Sequence, residues 1–300
     1  MSHLAGLVAD LCAEQAALDT CLSHLAPGDW GRETPAVGWT IQDQVAHLAF
    51  FDAAATLACT DAEAFHRQLA EVGGEPSRVI DQQLGAGRAL GAQQVLAWWR
   101  WARLELASAL AEADPRRRVP WYGPSMSLAS LVTARLMETW AHGQDVADTL
   151  GLEREPTARL RHVAHLGVRA RPYSFAVRGL PIPTREVSVE LVGPSGECWT
   201  WGDSHLPDRV VGPALDFCLV VTQRRHVADT ALQITGEAAR AWMAIAQAFA
   251  GPPGPGRSPG QFGPGPSRPD SRGPDHAESA GRGVSPPSTL SEREQRPCPA

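Results

Sequence analysis

The chain has 300 residues, 43% hydrophobic and 20% charged, the make-up of a globular protein with room for two domains. All 27 basic residues are arginine against 33 acidic ones, a formal net charge of −6, which speaks against a general nucleic-acid binder; the lack of lysine excludes Schiff-base and P-loop lysine chemistry. No apolar run of about 18 residues is present and Met1-Ser2-His3-Leu4 does not open a secretory signal, so a cytoplasmic chain with no membrane or nucleic-acid partner is expected.

The first half reads as helical. Leu4, Leu7, Val8 and Leu11 recur at three and four, and the stripe resumes at Leu18, Cys21, Leu22 and Leu25. Only Glu14 and Gln15 are polar where it should pass. Pro27-Gly28-Asp29 ends that helix, and a loop runs to Trp39. Thr40 is placed to cap a second helix, Ile41 to about Thr60, with Asp43 at the capping-box position. Residues 61–91 read as a long polar connection, with helix expected only around Ala62–Glu71. A third long helix covers Ala92 to Ala113, where Trp98, Trp99 and Trp101 are expected mainly in the core, and Asp114-Pro115 closes it. Arg116, Arg117 and Arg118 then suit the negative end of its dipole. The fourth helix runs from Ser127 to Leu150, with Gly151 as its stop. Four long amphipathic helices imply a four-helix bundle, and the long connections permit crossovers.

Beyond Gly151 the pattern changes. A helix is expected from Thr157 to about Ala170, and strands at 186–192, 197–201, 209–211 and 232–235. The turn Pro194-Ser195-Gly196 joins the first two strands into a hairpin. Helices are expected at 213–222 and 237–250. From Gly251 onward Gly, Pro, Ser and charged residues dominate, too little apolar surface to offset chain entropy. The expected organisation is therefore a bundle at 1–152, a small α+β domain at 153–250 and a disordered tail at 251–300. The six cysteines form no C-x-x-C pair and read as reduced, small hydrophobes, not a disulfide scaffold or a four-cysteine zinc site.

The chemically informative residues are His47, Glu138 and His142. Glu138 and His142 are four apart, one turn along a single helix face, while His47 sits in the second helix. Bundles build metal sites from side chains on facing helices, and two imidazoles with one carboxylate form a catalytic-zinc ligand set that leaves a fourth position open. Apolar neighbours such as Val45, Leu48, Met137 and Trp140 place these ionisable groups where a partner or a metal is needed. Asp43, four before His47, suits either its orienting acceptor or a helix-start role. Arg135 suits a surface salt bridge more than a substrate carboxylate, and Asp145, three after His142, suits a solvated carboxylate more than an orienting acceptor for that ring. His162 and His165 lack a third ligand, so no second metal is expected.

The segment Gly38-Trp39 through Asp43, His47 and Leu48 resembles the second-helix signature of the DinB/mycothiol-dependent maleylpyruvate isomerase superfamily. Ala134-Arg135 through Glu138, His142, Gly143 and Asp145 resembles its fourth-helix signature. The resemblance implies a divalent metal, zinc in most members, on His47, Glu138 and His142. The second half resembles that family's small, sterol-carrier-like α+β domain, with Phe217 to Arg225 matching an apolar helix ending in Thr-Gly-Arg. Gln223 stands where the family has Gly, so Arg224 and Arg225 are both candidates for its functional arginine. The implied activity is that of a mycothiol-dependent isomerase or thiol transferase. The metal would activate the thiol cofactor, and the partner would be a small electrophile or carboxylate substrate. Adding the thiol reversibly to a conjugated double bond permits cis–trans rotation. Metal-dependent hydrolysis and non-catalytic metal or ligand binding are the alternatives the residues leave open.

Overall fold

The computed structural model describes residues 3–71 and 76–262. Its bundle helices are α1 (His3–Ser23), α2 (Ile41–Thr60), α5 (Ala92–Glu112) and α6 (Leu128–Leu150). Two shorter helices, α3 (Ala62–Glu71) and α4 (Pro76–Arg88), lie between α2 and α5. α2 packs on α5 and α6, and α1 packs on α6 and α5, which closes a ring of four. β1 (Arg118–Val119) pairs antiparallel with β2 (Met126–Ser127) just before α6.

The local signals explain these elements. Thr40 Oγ1 accepts the Asp43 backbone N–H at 3.3 Å, and the Asp43 carboxylate accepts the Thr40 N–H at 2.9 Å, a complete capping box at the start of α2. At the end of α6 Gly151 adopts φ +67, the left-handed conformation open to glycine at little cost, and donates back to Ala147 and Asp148. The polar break in the α1 stripe is fully partnered. Glu14, buried, accepts Arg154 at 2.5 Å and Arg159 at 2.7 Å, and Gln15 donates to the buried Asp52 at 3.2 Å. Burying these groups costs little only because each is paired.

One expectation fails here: residues 61–91 are not mainly a polar connection. α4 packs along α2 through Val79, Gln83 and Gly87, one face at a spacing of four. Only one of the three is apolar, so no hydrophobic stripe announces the helix, and its glycines read as breakers. Gly87 is required, because a Cβ there would overlap the Cβ of Ala46.

The remainder is α+β. α7 (Leu160–Arg169) and α8 (Arg171–Ala176) precede β3 (Ser188–Val192) and β4 (Cys198–Trp201). β5 (Arg209–Pro213) leads directly into α9 (Ala214–Val221), and β6 (Gln233–Thr235) into α10 (Glu237–Met243). The sheet order is β4-β3-β5-β6. β3 runs antiparallel to β4, with Val189 opposite Trp201, and parallel to β5, with Val189 opposite Val210. β6 is antiparallel to β5, with Ile234 opposite Val210. The closing helix stops at Met243, earlier than its apolar pattern suggests. The chain turns there so that the Ala248 N–H reaches the Val221 carbonyl at 2.7 Å. One hydrophobic cluster runs from Leu4 and Leu7 through α6 and α7 to Phe217 and Trp242.

Three further readings need correction. The tail does not lose order at Gly251: residues 251–262 lie against the fold, while 263–300 fall outside the described residues. The order comes from polar and ring contacts, not apolar burial. Arg257 donates to Asp145 at 2.7 Å, the Arg225 guanidinium lies 3.9 Å from the Phe262 ring centroid, and Tyr173 Oη bonds the Gly251 carbonyl at 3.0 Å. Cys12, Cys21, Cys59 and Cys218 are free thiols as expected, but Cys198, exposed at the start of β4, is disulfide-bonded. Trp99 is buried as expected, whereas Trp101 is exposed because it faces away from the α1 and α2 sides of α5. No described helix is long and apolar enough to cross a membrane.

Candidate metal centre

α2 and α6 pack against each other and bring His47 and the Glu138/His142 turn together. Each of the three residues offers a ligand atom, and those atoms lie within 4.8 Å of one another. His142 Nε2 stands 3.1 Å from Glu138 Oε2, and His47 Nε2 stands 3.7 Å from the same oxygen. The two imidazole centroids are 4.3 Å apart. The side chains are largely buried but not sealed, at 11%, 19% and 11% exposure for His47, Glu138 and His142.

The outer ring nitrogens are held by amides. His47 Nδ1 donates to Gln83 Oε1 at 3.1 Å, and His142 Nδ1 donates to Gln44 Oε1. The carboxamide oxygen accepts only, so each Nδ1 carries the proton and each Nε2 lone pair faces Glu138. That tautomer is the one a metal ligand requires. Gln44 is itself fixed, because its Nε2 donates to Thr34 Oγ1 at 2.8 Å, and Thr34 in turn holds the Trp39 carbonyl at 2.8 Å.

Electrostatics agree with the geometry. Burial pushes His142 down to about 4, helped by the neighbouring His47 charge and opposed by Glu138, so it is neutral near pH 7. Burial alone would raise Glu138, but its interactions with His142 and His47 hold it well below the usual carboxylate range. Two imidazoles with an ionised carboxylate form a donor set that fits a divalent cation.

An aromatic wall borders the cluster. Trp39 lies 5.3 Å from His47 and stacks at 5.9 Å on His142. Phe51 lies 4.6 Å from His47, and Tyr122 packs edge-on to Phe51 at 5.4 Å.

Other singled-out residues take different places. Asp43 does not orient His47; it is spent on the capping box and on Arg88 at 2.9 Å. Arg135 is not a surface residue: its Nε meets the fully buried Asp52 at 2.8 Å. Asp145 is not solvated: it is fully buried between Arg224 and Arg257, each at 2.7 Å. Arg224 also donates from Nε to the Ala141 carbonyl at 3.1 Å and from Nη1 to the Thr222 carbonyl at 2.6 Å. Arg225 grips Asp148 with both terminal nitrogens at 2.7 Å. Both candidate arginines therefore bond to α6, Arg224 through Ala141 and Asp145 and Arg225 through Asp148. Gln223 adopts φ +60, a left-handed conformation that glycine takes at less cost. His162 pairs with Asp10 at 2.7 Å and His165 accepts Trp201 Nε1 at 3.3 Å, away from any metal cluster among the described residues.

Gln44 and Gln83 were missed from sequence. Gln44 lies three before His47, and Gln83 belongs to the unforeseen α4; glutamine in a polar stretch carries no signal of its own.

A ring of four long helices with two histidines and a glutamate converging inside it defines the class: a bundle with an internal metal-type cluster. The profile of the mycothiol maleylpyruvate isomerase N-terminal domain matches residues 11–147, which include all three cluster residues. The chain is 47% identical over 250 residues to two uncharacterized proteins of Mycobacterium tuberculosis, from strains CDC 1551 / Oshkosh and ATCC 25618 / H37Rv, covering 83% of this chain and 97% of theirs. Its fold is similar to the crystal structure of the mycothiol-dependent maleylpyruvate isomerase, with a TM-score of 0.54 at 16% identity over 75% of this chain and 90% of that one. A histidine-to-alanine mutant of that isomerase matches with a TM-score of 0.53. The chain belongs to the DinB-like, mycothiol-dependent maleylpyruvate isomerase family.

Proposed function

We propose that this protein binds one divalent metal, zinc by preference, on His47, Glu138 and His142, and uses it in mycothiol-dependent isomerisation or thiol transfer. The observation that carries the metal assignment is the convergence of both Nε2 atoms on Glu138, with both Nδ1 atoms held by glutamine oxygens. Family membership supports the thiol. When bound, the metal would supply charge that lowers the pKa of a coordinated thiol. The chain's own residues do the rest. Gln44 and Gln83 hold the imidazoles in the ligating tautomer, Glu138 stays ionised, and Trp39 and Phe51 keep apolar surface beside the reacting groups. In the isomerising case the thiol sulfur bonds one carbon of a conjugated double bond, the π pair moves onto the conjugated carbonyl, rotation follows, and expulsion of the thiolate restores the double bond. In the transfer case the sulfur–carbon bond forms while a leaving group departs with its electron pair and the thiol proton passes to solvent. A cytoplasmic location belongs with this reading, since mycothiol is a reduced small thiol.

Elemental analysis of wild type and His142→Ala, with mycothiol titrated by calorimetry into each, tests the proposal. About one metal per chain, lost in the variant, with thiol binding that depends on the metal, is the expected result. Equal metal content in both would overturn the site. Metal without thiol binding would overturn the thiol role.

A further inference from the structure

We infer that the reactive partner taken at this centre is an uncharged, planar electrophile and not a dicarboxylate, an inference that rests on the thiol-dependent reading above and names its substrate class. Two independent observations converge on it.

The first is the composition of the wall. Trp39 and Phe51 flank the two imidazoles, and Phe51 continues into Tyr122 and Trp121 at 5.4 and 6.4 Å. Trp121 stacks on Phe65 at 5.9 Å with the rings 14° from parallel. Trp39 is fixed rather than loose. Its carbonyl accepts both the backbone N–H and the hydroxyl of Thr34, at 2.7 and 2.8 Å, and Thr34 is tied through Gln44 to His142. A pre-set aromatic surface favours flat apolar or π-bearing ligands, because the rings are already ordered before binding.

The second is the state of the cations. A carboxylate-bearing substrate needs an arginine fork with free donors. Arg224, whose charge His142 feels, gives Nε to Ala141, Nη1 to Thr222 and Nη2 to Asp145. Arg225 gives both terminal nitrogens to Asp148. Arg135, whose charge Tyr122 feels, is buried on Asp52 and the Leu48 carbonyl. Arg88 is bidentate to Asp43 and holds the Gly38 carbonyl. Each of these four arginines is thus paired with a carboxylate of this chain. Recruiting Arg225 or Arg135 for substrate would leave Asp148 or Asp52 buried without its cation, and recruiting Arg224 would leave Asp145 with Arg257 alone.

The test uses full-length, metal-loaded protein and a matched pair of probes, dimethyl maleate and maleate. They share an activated cis double bond and differ by two negative charges. Binding of each is measured by calorimetry without thiol, then mycothiol consumption is followed with each. The diester is expected to bind at least ten-fold more tightly than the diacid. Trp39→Ala and Phe51→Ala should each weaken diester binding at least five-fold with metal content unchanged, and either variant suffices if the other fails to fold. Maleate binding as tightly as the diester, or diester binding unaffected by the ring substitutions, would overturn the inference. Preferential diester binding with no thiol consumption would uphold the substrate class and overturn the thiol reading, so the two fail separately.

Discussion

Replacing Gln83 with leucine should separate metal affinity from fold stability. Gln83 is fully buried; its Oε1 accepts His47 Nδ1 at 3.1 Å, while its Nε2 has no hydrogen-bond partner. In the native protein an orphaned buried donor already costs about 1–3 kcal/mol. Leucine removes that orphan and fills a similar volume, but it leaves the His47 Nδ1–H without an acceptor, a penalty of the same size. The two changes offset, so metal-free Gln83→Leu should unfold within about 1 kcal/mol of wild type. Metal binding has no such offset. Without its acceptor the imidazole is free to rotate and to carry its proton on Nε2, and losing an outer partner of this kind weakens metal binding about 10–100-fold, or roughly 1.4–2.7 kcal/mol. Chelator competition gives the affinity and urea denaturation of the stripped protein gives the stability. Gln83→Glu, which keeps an acceptor oxygen, should recover most of the affinity. An unchanged metal Kd in Gln83→Leu would refute the orienting role, and an affinity loss that merely tracks instability would refute the separation.

Gly87→Ala should cost about 1–3 kcal/mol in thermal unfolding, because its methyl overlaps Ala46 where α4 crosses α2, and Ala46→Gly should rescue it. Arg135→Leu strands the buried Asp52 carboxylate and should destabilise by about 3–5 kcal/mol in urea, with the double variant Arg135→Leu/Asp52→Leu returning most of it; equal losses in both would exclude an uncompensated charge as the cause. Acid should weaken the metal-free protein. His142 sits at about 4 in the fold against 6.5 ordinarily, so the unfolded chain binds the proton first, and its contribution, full above pH 6.5, is lost as pH falls towards 4. That gap amounts to about 3 kcal/mol, and a His142→Leu protein should show a flatter stability curve across the same window.

Much of the architecture was legible locally. The capping box at Thr40 and Asp43, the left-handed stop at Gly151 and the period-two run ahead of the Pro194 turn each announce an element through short-range chemistry. The cluster was also legible, because Glu138 and His142 share a helix face by spacing alone and His47 sits in an apolar stretch of another helix. α4 was not legible, since its buried face is one valine, one glutamine and one glycine, and only the presence of α2 opposite makes those residues a packing surface.

The sequence by itself determined the four long bundle helices, the hairpin and the three donor residues, because those depend on periodicity, caps and residue chemistry within a few positions. Only the tertiary structure decided that Gln44 and Gln83 orient the histidines, that Arg224 and Arg225 are spent on Asp145 and Asp148, and that residues 251–262 return to Asp145 through Arg257. Those partners are separated by 36 to 112 residues in the chain. Which glutamine meets which imidazole, and which aspartate holds which arginine, is settled by packing helices against one another, a long-range choice on which local pattern is silent.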